Sequence, residues 1–145
     1  MQVIHILREK GREMVTLSSE ATLYEAARLL AHKRIGAVLI RNSSGALAGI
    51  LSERDVVRAV AEESVPALAR PASAYMTRDV ATCTENDTVD DLMEMMTIGR
   101  FRHVPVLDGD NQLCGIVSIG DVVKARIDET VREAADLRQY IAAAG

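Results

Sequence analysis

LAGILSERDVVRA (47–59) and LCGIVSIGDVVKA (113–125) are one pattern written twice, with Asp55 and Asp121 standing 66 positions apart. Self-similarity of this kind decides whether a chain is one irregular domain or an array of a smaller unit. Carried upstream without a gap, the same offset pairs TLSSEATLYEAARLL (16–30) with TCTENDTVDDLMEMM (82–96), and RIGAVLI (34–40) with RFRHVPV (100–106). Two copies of one unit therefore fill most of the 145 residues.

Each copy has the same internal order. Leu23/Ala26/Ala27/Leu30 and Val89/Leu92/Met93/Met96 are apolar at i, i+3, i+4, i+7, which predicts an amphipathic helix in each copy. Thr22 and Thr88 stand just before these helices, with Glu25 and Asp91 three residues on, the pattern of a capping box. Short apolar runs follow at 37–40 and 104–107. Turn signals NSSG (42–45) and DGDN (108–111) then lead to LAGILS and LCGIVS, which read as hairpin partners. A second helix comes next, with Val56, Val57 and Val60, or Val122, Val123 and Ile127, as the expected buried face. First strands are expected near Val15 to Ser18 and Val80 to Thr84.

The unit is thus β-α-β-β-α, and the expected fold is α/β. Two such motifs, 8–63 and 72–128, would pack sheet against sheet about a pseudo-twofold axis, followed by a C-terminal helical tail, 129–145. Pro66 and Pro71 mark the connector, and AYMT (74–77) corresponds loosely to HILR (5–8), suggesting a short lead-in helix before each unit. In the tail, Ile127, Val131, Ala134, Leu137 and Ile141 share one helical face, suiting core cover or a dimer contact.

Charge and composition narrow the function. The net charge is −4 and aromatics are 3% of residues, so the chain lacks the basic, stacking surface of a dedicated nucleic-acid binder. No apolar run approaches the roughly 18 residues of a membrane span, and charge comes too early for a signal peptide, so a cytoplasmic location is expected. Cys83 and Cys114 show no CxxC spacing and no His partners, so neither a disulfide framework nor a metal site is expected. His5 and His32 read as surface residues, and Met93, Met95 and Met96 as packing.

The chemistry points to Ser52-Glu53-Arg54-Asp55 and Ser118-Ile119-Gly120-Asp121, each where a strand gives way to a helix. Free N–H groups and the positive helix end at such a place suit a phosphate. A serine hydroxyl can donate to that phosphate, and an aspartate one turn later can accept from ribose hydroxyls. The same S-x-x-D spacing is also a capping box that needs no ligand. Arg54 beside Asp55 could reach a phosphate or lie in solvent, whereas Gly120 carries no charge.

In its duplicated carriers, IGAVLI with LAGILSERDVVRAV and GRFRHVPVLDGDNQLCGIVSIGDVVKA, the chain resembles paired CBS (cystathionine β-synthase) domains. The resemblance covers nearly the whole chain. It implies binding of adenine nucleotides, AMP, ADP, ATP or NAD(H), in two clefts between the repeats. One cleft would combine Ser118, Asp121, His103, Val104 and Pro105 with Thr16, Leu17 and Ala21. The other would combine Ser52, Asp55, Gly36, Ala37 and Val38 with Thr82, Cys83 and Asp87. Arg102 stands where the first copy keeps the family's Gly36 and could pair a phosphate. Leu39 stands where the second copy has the family's Pro105.

The leading expectation is a regulatory, nucleotide-sensing module that forms a homodimer and signals to a further protein. The alternative is a ligand-free dimerisation or adaptor module. An enzyme is disfavoured by the lack of a P-loop, a G-x-S-x-G elbow or a nucleophile with an adjacent base.

Overall fold

The 66-residue offset survives in three dimensions as two three-stranded sheets with the same order and the same register. A computed structural model describes residues 1–144. In the first sheet, β1 (Thr16–Ser18) runs parallel to β2 (Ala37–Arg41), which pairs antiparallel with β3 (Leu47–Ser52). Between β1 and β2 lies α2 (Leu23–Lys33), preceded in the chain by α1 (Val3–Lys10); after β3 comes α3 (Glu53–Glu63). The second copy repeats this as β4 (Cys83–Thr84), α4 (Val89–Gly99), β5 (His103–Leu107), β6 (Leu113–Ser118) and α5 (Ile119–Ala144). Pairs Ala37↔Ser52 and His103↔Ser118 are equivalent, and both hairpins shift register at the same place, after Ile40 and after Val106.

Local chemistry explains the repeated elements. Thr22 Oγ1 accepts from the Glu25 N–H while the Glu25 carboxylate accepts from the Thr22 N–H, and Thr88 and Asp91 do the same for α4. Each box satisfies two orphan donors, a contribution of about 1 kcal/mol per cap. Both helices end on an arginine in the left-handed region, Arg34 at φ 54° and Arg100 at φ 57°, each donating its N–H back to the last turn. Arginine is uncommon there. Among the described residues these two side chains thus leave from helix-ending backbone.

The chain divides into two compact units that do not follow the motif ranges. One is Glu13–Ala81; the other is Met1–Arg12 together with the residues from Thr82 onward. α1 belongs with the second copy: Leu7 lies over Gly115 of β6, and Val3, Ile6 and Leu7 join Val89, Leu92, Val104, Val106 and Val117 in one core. The connector belongs with the first copy: Met76 lies over Gly49 of β3, and Ala67 and Ala72 join Leu23, Ala26, Val38, Ile40 and Leu51. The HILR/AYMT correspondence is therefore real at the level of contacts, since Leu7 and Met76 cover equivalent glycines. AYMT is not a helix, however: after 3₁₀ turns at Val65–Ala69 and Ala72–Ala74 the chain extends to bridge Thr77 to Ile50.

Three further expectations change. The first strand of the second copy is only Cys83–Thr84, because its ladder partners are Val106 and Leu107 alone. The tail is not a separate element: α5 runs unbroken for 26 residues, as no glycine or proline interrupts it after Gly120. The second helices bury a narrower face than expected. Ala59, Val122 and Ala125 are buried, whereas Val57 is 67% exposed and Ile127 57%, with Val60 and Val123 also exposed. Adjacent valines such as Val56 and Val57 lie about 100° apart around a helix, so both cannot face the same sheet. The tail positions Val131, Leu137 and Ile141 are exposed as well.

Candidate functional site

Each unit builds the same strand-to-helix turn around its serine and aspartate. Ser52 ends β3 and caps α3; the Glu53 N–H donates to the Gly36 carbonyl at 3.0 Å. In the other unit Ser118 ends β6, and the Ile119 N–H donates to the Arg102 carbonyl at 2.8 Å. Gly36 and Arg102 thereby hold the turn through their backbones, which any side chain permits, so the departure at position 102 leaves the turn intact.

Both S-x-x-D patterns are closed as reciprocal caps. The Asp55 N–H donates to Ser52 Oγ at 3.3 Å and the Ser52 N–H to Asp55 Oδ2 at 2.9 Å. The Asp121 N–H donates to Ser118 Oγ at 3.2 Å and the Ser118 N–H to Asp121 Oδ2 at 2.9 Å. All of these carboxylate bonds fall on Oδ2. The second oxygen, Oδ1, carries only an ion pair to Arg58 at 4.0 Å in Asp55. Capping and ribose recognition are therefore compatible, since they use different oxygens of one carboxylate. Neither side chain is sealed off, with exposures of 14% for Asp55 and 23% for Asp121.

The two turns differ in their charges. Lys10, at the end of α1, donates to Asp121 Oδ2 at 2.7 Å and to the Ile116 carbonyl at 2.9 Å. Burial alone would raise the Asp121 carboxyl; the Lys10 and Ser118 donors outweigh it and hold the group below its ordinary range. Arg54 is exposed in the first turn of α3, and its counterpart is Gly120. Lys10 gave no signal in the sequence, because its partner lies 111 residues away. Only a three-dimensional view of which copy α1 covers could find it.

The remaining expected residues fall on defined backbone. Ala37 and Val38 are buried in β2, and Val104 and Pro105 in β5, with His103 half-buried at the start of β5 and Arg102 exposed before it. Thr16 and Leu17 lie in β1, half-buried; Ala21 is in the following turn, where its carbonyl accepts from the Ala72 N–H at 2.7 Å. Thr82 precedes β4 and is outside any strand. Cys83 is buried, and burial, with the Asp87 charge adding to it, pushes its thiol up to about 12, far from a nucleophile's range. Asp87 Oδ2 accepts from the Thr84 N–H at 2.8 Å, so its carboxylate shapes a turn.

An open groove of about 440 Å³ lies between α2 and α3, lined by Leu30, Ile35, Val56 and Val57 with Arg34 and Glu53. Of the expected site residues it includes only Gly36. Among the described residues no group of His, Cys, Asp and Glu is arranged to hold a metal ion, and no helix is long and apolar enough to cross a membrane.

The turns sit inside a recognisable whole. The CBS domain matches this chain twice, at residues 3–62 and 72–128. A CBS-domain-containing protein of Agrobacterium tumefaciens is 47% identical, with a TM-score of 0.83 over 86% of this chain and 92% of that one. A CBS domain protein from Pyrobaculum aerophilum, solved in complex with AMP, is 30% identical, with a TM-score of 0.75 over 83% and 89% of the two chains. A CBS domain pair in complex with 5-methylthioadenosine and S-adenosyl-L-methionine is 27% identical, with a TM-score of 0.78 over 89% and 98%. With the family matched over both repeats and the same fold found in its solved members, this chain belongs to the CBS domain family and carries the domain as a tandem pair.

Proposed function

We propose that this protein is a regulatory module that binds adenine nucleotides and signals their presence to another protein. The observation that carries the reading is the split use of the two aspartates: cap bonds occupy Oδ2 and leave Oδ1 outside the cap, in a turn where a helix N-terminus attracts phosphate. In this reading a ribose is held on Oδ1, beside Arg58 in the case of Asp55, with its phosphate at the Ser52 or Ser118 turn. The similar pairs that carry AMP, or methylthioadenosine and S-adenosylmethionine, support an adenosine-containing ligand.

On the family's pattern, Gly36 to Val38, Arg54, Thr82, Cys83 and Asp87 serve the Asp55 half-site. Thr16, Leu17, Ala21 and Arg102 to Pro105 serve the Asp121 half-site. AMP, ADP, ATP and NAD(H) are the ligands to compare. The chain works without turnover, as a homodimer whose ligand state is read by a separate effector. Coupling requires the nucleotide to favour one of two conformations of the assembly.

Thermal unfolding of the purified chain with each nucleotide tests this. A ligand at 100 times its dissociation constant adds about 2.7 kcal/mol of apparent stability. No shift with any of the four, or with S-adenosylmethionine, refutes it.

A second reading has its own support. Both S-x-x-D boxes are complete caps without a ligand, and Val57, Ile127, Val131, Leu137 and Ile141 present apolar surface. A ligand-free dimerisation module would show concentration-dependent association and no nucleotide response in the same experiment.

A further inference from the structure

Lys10 brings a positive charge to a turn whose own residues provide none. In the Ser52–Asp55 turn the cation is local, since Arg54 lies in the first turn of α3. At the equivalent place in the other unit stands Gly120, where an added Cβ would meet only Ser118 Oγ, at 3.6 Å. The glycine leaves that side of the turn open and uncharged. Asp121 by itself would present a net negative charge to an arriving phosphate.

Lys10 reverses this from a different element. Its ammonium has three donors, and two are used, on Asp121 Oδ2 and the Ile116 carbonyl. The third is available to a ligand, and the lysine–aspartate pair is neutral. Because Lys10 takes Oδ2, it does not compete with a ribose on Oδ1. No equivalent exists in the other unit, where the residue of the connector that matches Leu7 is Met76 and the position three further on is Asp79.

We infer that Lys10, together with the Arg102 already placed at the Ser118–Asp121 half-site, supplies its positive charge, and that Lys10 selects for adenine nucleotides that carry a phosphate over uncharged adenosine derivatives. The inference rests on the nucleotide reading above. Removing a unit charge several ångströms from a phosphate in a half-exposed site weakens binding about tenfold at low salt, and less as salt rises. An uncharged ligand held through its ribose on Oδ1 loses little.

The test is calorimetric titration of the full chain in an Asp55→Asn background, so that binding reports the Asp121 half-site. AMP and 5-methylthioadenosine are the two probes. Lys10→Met should weaken AMP about tenfold and change methylthioadenosine less than twofold, while Lys10→Arg keeps the preference. Equal weakening of both ligands would make Lys10 a purely structural residue and overturn the inference, as would no change in either. Binding in the wild type that vanishes in Asp55→Asn would also overturn it while leaving the nucleotide function standing. A wild type that binds neither probe, nor any other adenine nucleotide, refutes the function itself.

Discussion

Gly49 and Gly115 occupy the same position in the two sheets, yet replacing each with alanine should have very different costs. A Cβ on Gly49 would lie 2.6 Å from the Thr77 carbonyl oxygen and 2.6 Å from Met76 Sδ. To reach the 3.4 Å of ordinary contact, that carbonyl must retreat roughly 0.8 Å. It accepts the Ile50 N–H at 3.0 Å, and the Thr77 N–H donates to the Ile50 carbonyl at 2.9 Å, so the movement stretches both bonds beyond useful length. Two hydrogen bonds at about 1 kcal/mol each, plus about 1–3 kcal/mol for overpacking, less about 0.5 kcal/mol regained by replacing a strand glycine, gives a loss of about 2.5–4.5 kcal/mol.

At Gly115 the nearest atoms to the added methyl belong to the Leu7 side chain, its methyl groups at 2.8 and 3.1 Å. The end of a leucine can yield by a small rotation, so Gly115→Ala should cost no more than about 1 kcal/mol. Urea denaturation of both variants, with amide exchange of Ile50 and Thr77, measures the difference. A Gly115→Ala variant as destabilised as Gly49→Ala would refute this reasoning. So would Ile50 and Thr77 amides that remain fully protected in Gly49→Ala.

Acid should expose the role of the Lys10–Asp121 pair. Asp121 is held below its ordinary range in the folded state, so it contributes stability above the unfolded pKa of about 3.9, and that contribution disappears as pH falls through the lower folded value. Asp121→Asn should therefore be less stable than wild type at pH 6, with the gap narrowing below pH 4; a gap independent of pH contradicts the assignment. Thiol chemistry gives another check. With burial pushing Cys83 up to about 12 and Cys114 half-buried, alkylation at pH 8 should modify Cys114 first and Cys83 only on unfolding. Equal rates by peptide mass mapping would contradict the burial of Cys83.

The elements legible in the sequence are those whose causes are local. Thr22 with Glu25 and Thr88 with Asp91 are caps that chain spacing alone reveals, and each hairpin follows from a turn signal between two apolar runs. The aspartates of the S-x-x-D boxes were legible too, though which carboxylate oxygen the cap uses was not. What escaped was non-local. Nothing periodic says that Leu7 belongs over Gly115, or that Lys10 meets Asp121, because those partners lie more than a hundred residues apart in the chain. The overestimate of the second helices' buried face has a different origin: runs of valine look uniformly apolar, while a helix turns about 100° between neighbours.

The exchange of lead-in segments also governs the order in which the chain can complete itself. Glu13–Ala81 is one uninterrupted stretch and holds everything its core requires. The first twelve residues cannot find their place until β6 has been made, more than a hundred residues later, so α1 must wait through the assembly of the first repeat. Closing so long a loop is slow compared with local hairpin formation. The second repeat is consequently finished by a segment that precedes the whole of the first, and damage to α1 would be felt at β6, on the far side of another repeat.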